Sequence, residues 1–146
     1  MGTIDQVKIM KKVFFVLLVV VLGCGKKTES GETHVSTDAI VFETISADEF
    51  QKRISEDQNG VLLDVRTPEE VAGGKIGDAT NIDFRATDFA EKVNQLDKSK
   101  TYYLYCAGGS RSSKAAELMK SNDFKKIYEL DGGYNGWSSQ GLPVSH

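Results

Sequence analysis

Hydrophobic and polar positions along the chain change period repeatedly, and each change marks a new element. Ile40 to Ile45 reads as a short strand. Ser46, with Glu49 three residues on, has capping-box spacing and opens a helix that buries Phe50 and Ile54 and ends near Asn59-Gly60. Val61-Leu62-Leu63 is continuously apolar, the pattern of a strand covered on both faces of a parallel sheet. Thr67 caps a short helix with Pro68 first and acids in its first turn, and Gly73-Gly74 ends it. A brief strand is expected at Asn81-Ile82, then a helix opened by Thr87 or Asp88 that presents Phe89, Val93 and Leu96 on one face. Thr101 to Tyr105 reads as a buried strand. The helix from Ser112 to about Asn122 carries the stripe Ala115, Leu118 and Met119. Ile127 to Leu130 is the last strand, and Gly132-Gly133 turns the chain into a final helix around Trp137. Strands alternating with helices at this spacing predict an α/β fold, a central parallel sheet of about five strands with helices on both faces. No internal repeat is visible, and about 100 residues suffice for a single core.

Upstream of that pattern, Val13 to Leu22 is an unbroken apolar run behind Lys8, Lys11 and Lys12. It falls short of the roughly 20 residues a spanning helix needs, so residues 1–23 read as a secretory signal. Val21-Leu22-Gly23-Cys24 resembles the lipobox of bacterial lipoproteins, which implies cleavage before Cys24 and attachment of lipid to its sulfur. Met10 looks a more natural start than Met1. Residues 24–39 are polar and aperiodic, a tether in which His34 is a solvated residue without a role. Residues 40–146 form the domain. The expected location is a bacterial cell envelope, with the membrane reached through lipid on Cys24 and the domain outside the cytoplasm.

Charge and residue counts narrow the chemistry. The net charge of −3 becomes about −5 once residues 1–23 are removed, and no basic footprint for nucleic acid is present. Only two histidines occur, His34 and His146, both in segments that read as tails, which argues against a Cys–His pair or a histidine metal site. No cofactor and no metal are expected. Of the two cysteines, lipidation of Cys24 leaves Cys106 without a partner, and an unpaired thiol in an exported protein points to use.

Cys106 opens the stretch Cys106-Ala107-Gly108-Gly109-Ser110-Arg111-Ser112, set between a strand and a helix. Ligands of open α/β sheets bind at such carboxyl ends. Gly108 and Gly109 permit the positive φ that turns successive amides inward as an anion nest. The following helix contributes its positive end and Arg111 a full charge, so the Cys106 pKa should fall. Two roles are open to Arg111: binding the oxygens of a donor, or bracing the loop from behind. Ser110 and Ser112 can donate hydroxyl hydrogen bonds to the sulfur, although for Ser112 helix capping is the first reading. Asp64 and Arg66, at the end of another central strand, are read as an ion pair that fixes neighbouring loops ahead of substrate contact. Trp137 is read as core packing.

The spacing Cys-x-x-Gly-x-Arg-Ser, with four residues between Cys106 and Arg111, resembles the active-site loop of rhodanese-type sulfurtransferases. The resemblance extends over Ile40 to His146. Asp64-Val65-Arg66 resembles the family's Asp-Val-Arg segment, Gly74 to Ile82 its Gly-His-Ile-x-Gly-Ala-x-Asn segment, and Gly132-Gly133 to Trp137 its Gly-Gly-x-x-x-Trp ending. Lys75 stands where the family often has histidine. The resemblance implies a single rhodanese-like unit. Its Cys106 thiolate would attack the outer sulfur of a small donor such as thiosulfate, become a persulfide, and pass the sulfur to a thiol or cyanide acceptor. The amides of Ala107, Gly108, Gly109, Ser110 and Ser112 would stabilise the donor and the persulfide, with Arg111 beside them. A monomer is expected. The competing readings are a non-catalytic rhodanese module for partner binding or redox sensing, and a cysteine phosphatase or arsenate reductase. Loops of the latter have five residues between cysteine and arginine.

Overall fold

The computed structural model describes residues 40–146. The expected signal segment, Cys24, the tether and His34 lie outside the described residues. Ten elements alternate: β1 (Val41–Ile45), α1 (Ala47–Glu56), β2 (Val61–Asp64), α2 (Pro68–Ala72), β3 (Thr80–Asn81), α3 (Phe89–Asn94), β4 (Thr101–Tyr105), α4 (Ser110–Ser121), β5 (Lys126–Leu130) and α5 (Gly133–Ser139). The sheet runs β1-β5-β4-β2-β3, and every pairing is parallel. This is the expected α/β architecture. Among the described residues no helix is long and apolar enough to cross a membrane.

Strand β4 is central, and its pleat sends alternate side chains into two separate cores. Tyr102, Leu104 and Cys106 face one cluster with Leu63, Val65, Phe89, Val93, Ala115 and Met119, beneath α3 and α4. Tyr103 and Tyr105 face the other with Phe50, Ile76, Leu130 and Trp137, beneath α1 and α5. A strand buried on both sides needs apolar residues at both parities, which is why this segment shows no amphipathic alternation. Phe50 meets Tyr103 and Trp137 edge-on, at 5.7 and 6.2 Å between ring centroids. The indole N–H of Trp137 donates to the Pro143 carbonyl at 2.9 Å, so this residue is core as expected.

Four details depart from the sequence expectation. The capping box foreseen at Ser46 is only half formed: its hydroxyl accepts from the Glu49 amide, but the Glu49 carboxylate turns to Arg53 at 2.7 Å. The complete box is at Thr67 and Glu70. Strand β3 sits one residue earlier than expected, with Ile82 just beyond it and buried. Helix α4 begins at Ser110 and not at Ser112, so its N-cap is Gly109, at φ +102°. The C-terminal stretch is no free tail, because Lys75 and Ser145 exchange backbone hydrogen bonds of 2.8 and 2.7 Å.

Candidate functional site

The carboxyl end of β4 delivers Cys106 into a loop that is held from three directions. Below it, the Val65 amide donates to the Tyr105 carbonyl at 3.0 Å and keeps the ends of β2 and β4 together. On one flank, the amides of Tyr134 and Asn135 at the start of α5 donate to the carbonyls of Cys106 and Ala107 at 2.8 and 2.9 Å. Those carbonyls point away from the sulfur, so the loop's amides are left to point toward it. On the other flank stands Arg111, whose two terminal nitrogens donate to the two carboxylate oxygens of Glu70, each at 2.7 Å. A bidentate fork of this kind fixes orientation as well as charge.

Cys106 is a free thiol, 1 % exposed. The Gly109 amide donates to its sulfur at 3.1 Å, and the Ser112 hydroxyl stands 3.6 Å from it. Burial pushes the thiol pKa up. The amide and hydroxyl of Ser112 and the amides of Gly108 and Gly109 outweigh that, and the pKa ends below its ordinary value. Ser112 therefore does not cap the helix; fully buried one turn inside it, its hydroxyl also contacts the Gly109 carbonyl at 2.8 Å. Ser110 is exposed on the rim. Helix α4 aligns its positive end with the same sulfur. The rate of iodoacetamide alkylation against pH should accordingly have its midpoint below the ~8.5 of an ordinary thiol. Ser112→Ala should move that midpoint up by about one pH unit, as loss of one hydrogen bond to a charged group requires. An unchanged midpoint would leave the hydroxyl without a part in the shift.

Asp64 and Arg66 form a buried ion pair at the end of β2. Arg66 is 2 % exposed and donates through Nε and a terminal nitrogen to the Asp64 carboxylate at 2.7 to 3.0 Å. It also reaches the carbonyls of Glu70 at 3.2 Å and Gly74 at 2.8 Å, and lies 3.9 Å from the centre of the Tyr134 ring. One side chain thus ties β2, α2 and the start of α5. Asn81 adds its side-chain amide to the carbonyls of Asp64 and Arg66, both at 2.9 Å. Lys75 contributes only a contact to the Ala79 carbonyl at 3.2 Å.

Two participants were not singled out by sequence reasoning. Glu70 completes its capping box and receives Arg111 with the same carboxylate, and the guanidinium, against partial burial and with help from the Thr67 amide, pulls its pKa down to about 2. Its Thr-x-x-Glu spacing was a readable signal; its partner 41 residues away was not. Tyr134 both caps the loop through its amide and roofs Arg66 with its ring. A cavity of about 760 Å³ opens at the other end of the sheet among Arg53, Glu56, Asp57 and Tyr103, and no cysteine lines it.

A cysteine at a strand end, ringed by amides and followed by a carboxylate-held arginine, fits the loop of the resemblance. The profile of the rhodanese-like domain family matches residues 46–140. The chain belongs to the rhodanese-like domain family. Similar proteins include a putative sulfurtransferase of Bacillus subtilis, 35% identical over 99 residues, which are 68% of this chain and 93% of that protein. A sulfurtransferase of Allochromatium vinosum is 27% identical over 68% of this chain and 92% of its own. Among solved structures, a rhodanese-like domain protein of Staphylococcus aureus superposes with a TM-score of 0.61 at 31% identity, covering 72% of this chain and 100% of that one. Residues 40–146 hold both hydrophobic cores and all five strands of the sheet, so they are expected to fold by themselves.

Proposed function

We propose that this rhodanese-like domain is a thiosulfate-type sulfurtransferase working through a persulfide on Cys106. The observation that carries the reading is the surroundings of one sulfur: amide and hydroxyl donors at 3.1 and 3.6 Å, and a helix amino end aligned with it. Such a site stabilises a thiolate and, one bond further out, the anionic terminal sulfur of a persulfide. The Cys106 thiolate attacks the outer sulfur of thiosulfate; a new S–S bond forms, the old one breaks, and sulfite leaves with the electron pair. A thiophilic acceptor, a thiolate or cyanide, then attacks the terminal sulfur, and the Cys106 thiolate is regenerated. No net oxidant is needed.

Arg111 acts here as a brace for the loop, since Glu70 occupies its fork, while its charge lies near enough for the Cys106 thiolate to help keep it protonated. We take the domain to act as a monomer. We place the domain at the outer face of a bacterial membrane, held through lipid on Cys24 and a tether of residues 24–39.

Intact mass of the membrane-extracted full chain tests both halves. Incubation of the reduced protein with thiosulfate should add the mass of one sulfur to wild type and none to Cys106→Ser, and cyanide should remove it as thiocyanate. The same spectra should show a lipidated Cys24 terminus. A correctly folded wild type that gains no sulfur would overturn the transfer reading; an unmodified Met1 or Met10 terminus would overturn the anchor.

A further inference from the structure

In an all-parallel sheet the five carboxyl ends share one pole and the five amino ends the other. Cys106 belongs to the first. The second is set out by the strand register. Lys126 is paired with Val41 on one side and Thr101 on the other, and the Val41 amide donates to the Lys125 carbonyl at 2.7 Å. Ile40, Lys125 and Lys100 therefore stand side by side where three neighbouring strands begin. Ile40 is 61 % exposed, the most open large hydrophobic residue among the described residues.

Around this row lysines gather. Lys98, Lys125 and Lys126 line a cavity of about 380 Å³ with Ser99 and Asp123. Lys98 lies 6.0 Å from the Phe124 ring, and Lys120, in the last turn of α4, 5.2 Å from that of Phe42. None of these five lysines is ion-paired among the described residues. The carboxylates near these lysines are Asp97, which is engaged by Ser99, Asp123, and Glu43, Glu117 and Glu129, which line a cavity with Lys120. Glu49, Glu56 and Asp57 lie toward α1 and line a cavity that Lys126 also borders. Five of the eight lysines without an ion pair among the described residues thus stand around this pole.

We propose that this pole, carrying Lys98, Lys100, Lys120, Lys125 and Lys126 beside exposed Ile40, docks on an anionic lipid surface and turns the Cys106 loop toward water. The proposal rests on the reading that Cys24 carries lipid. The proposed anchor lies only 16 residues before Ile40 in the sequence. Lys26 and Lys27, next to Cys24, would add to the same attraction. Lysines on flexible stems suit phosphate headgroups, whereas a protein partner would call for aromatic or arginine anchors in a packed pocket, and this quadrant exposes none. Only charges within about 8 Å of a surface feel it at physiological salt. The lysine pole meets that condition when docked, and the Cys106 loop, a strand length of roughly 17 Å away, does not. Sulfur acceptors then arrive from the aqueous side.

The test uses residues 40–146, which lack Cys24, so its outcome is independent of lipidation. The fragment is sedimented with vesicles of phosphatidylcholine alone, or mixed with phosphatidylglycerol, at low and high salt. We expect at least fivefold more bound protein on the anionic vesicles at low salt and loss of binding at high salt. The double variant Lys100→Glu/Lys125→Glu should bind at least fivefold less, while Lys92→Glu, on α3, should bind as wild type. Equal binding to both vesicles, no binding at low salt, or indifference to the charge reversal overturns the proposal. Alkylation of Cys106 by an impermeant maleimide should run at the same rate on docked and free protein; a tenfold slowing overturns the outward orientation. Sulfur loading from thiosulfate, read by mass on the same samples, reports on the transfer reading separately and should not differ between wild type and the lysine variants.

Discussion

Arg66→Leu is expected to lower the unfolding free energy of the domain by about 3–5 kcal/mol, the range for removing one partner of a buried ion pair. Asp64 is fully buried, and its carboxylate receives Arg66 at 2.7 to 3.0 Å. Without the guanidinium that charge has no cation beside it, and the carbonyls of Glu70 and Gly74 lose their donor too. Urea denaturation of residues 40–146 measures the change. The double variant Asp64→Leu/Arg66→Leu should be clearly more stable than Arg66→Leu, because it leaves no uncompensated charge. Arg66→Lys keeps the charge without the planar fork and should fall between wild type and Arg66→Leu. A loss below about 1 kcal/mol for Arg66→Leu would show that Asp64 finds water or another donor, and that the brace is dispensable.

The legible parts of this molecule are those encoded locally. Apolar runs place β2 and β4, because a strand buried on both faces must be apolar throughout, whereas the exposed edge strand β3 is read one residue off. Thr67-Pro68 marks the start of α2 through the φ that proline fixes. The cysteine loop is legible because Gly109 needs its positive φ and because a thiol at a strand end has few structural uses. Ser112 is the instructive failure: serine near a helix start suggests a cap, yet Gly109 takes that place, and serine is freed to face the sulfur. Local rules rank the two positions by side-chain preference, whereas the loop ranks them by backbone conformation. Contacts between distant segments were out of reach. Nothing near Glu70 announces Arg111, and nothing near His146 tells that Ser145 pairs with Lys75.

Gly133→Ala is expected to reduce sulfur loading at Cys106 by at least 100-fold, a larger effect than its loss of stability alone explains. A Cβ at this position would lie 2.5 Å from the Cys106 carbonyl oxygen and 2.8 Å from that of Ala107. Both are backbone atoms of the loop itself, so no flexible side chain can move aside. The residue also holds φ at +56°, where alanine is strained by about 1–2 kcal/mol. Relief requires the start of α5 to withdraw, and with it go the Tyr134 and Asn135 hydrogen bonds, worth about 1 kcal/mol each. The total is about 3–4 kcal/mol of stability. The functional loss is separate: once its carbonyls are released, the loop no longer holds the Gly109 amide at 3.1 Å from the sulfur. Loss of one such donor is worth 10²- to 10³-fold in a pre-organised site, by about 2.7–4 kcal/mol of the barrier. Single-turnover loading from thiosulfate, followed by intact mass well below the denaturation midpoint, separates the two effects. Gly141→Ala is the control, since that glycine shares a positive φ of +70° but has open space around it; it should cost stability from strain and leave loading intact. Loading by folded Gly133→Ala at the wild-type rate would show that the amides of α5 do not shape the loop, and the sulfur site would then owe its geometry to the Arg111–Glu70 brace alone.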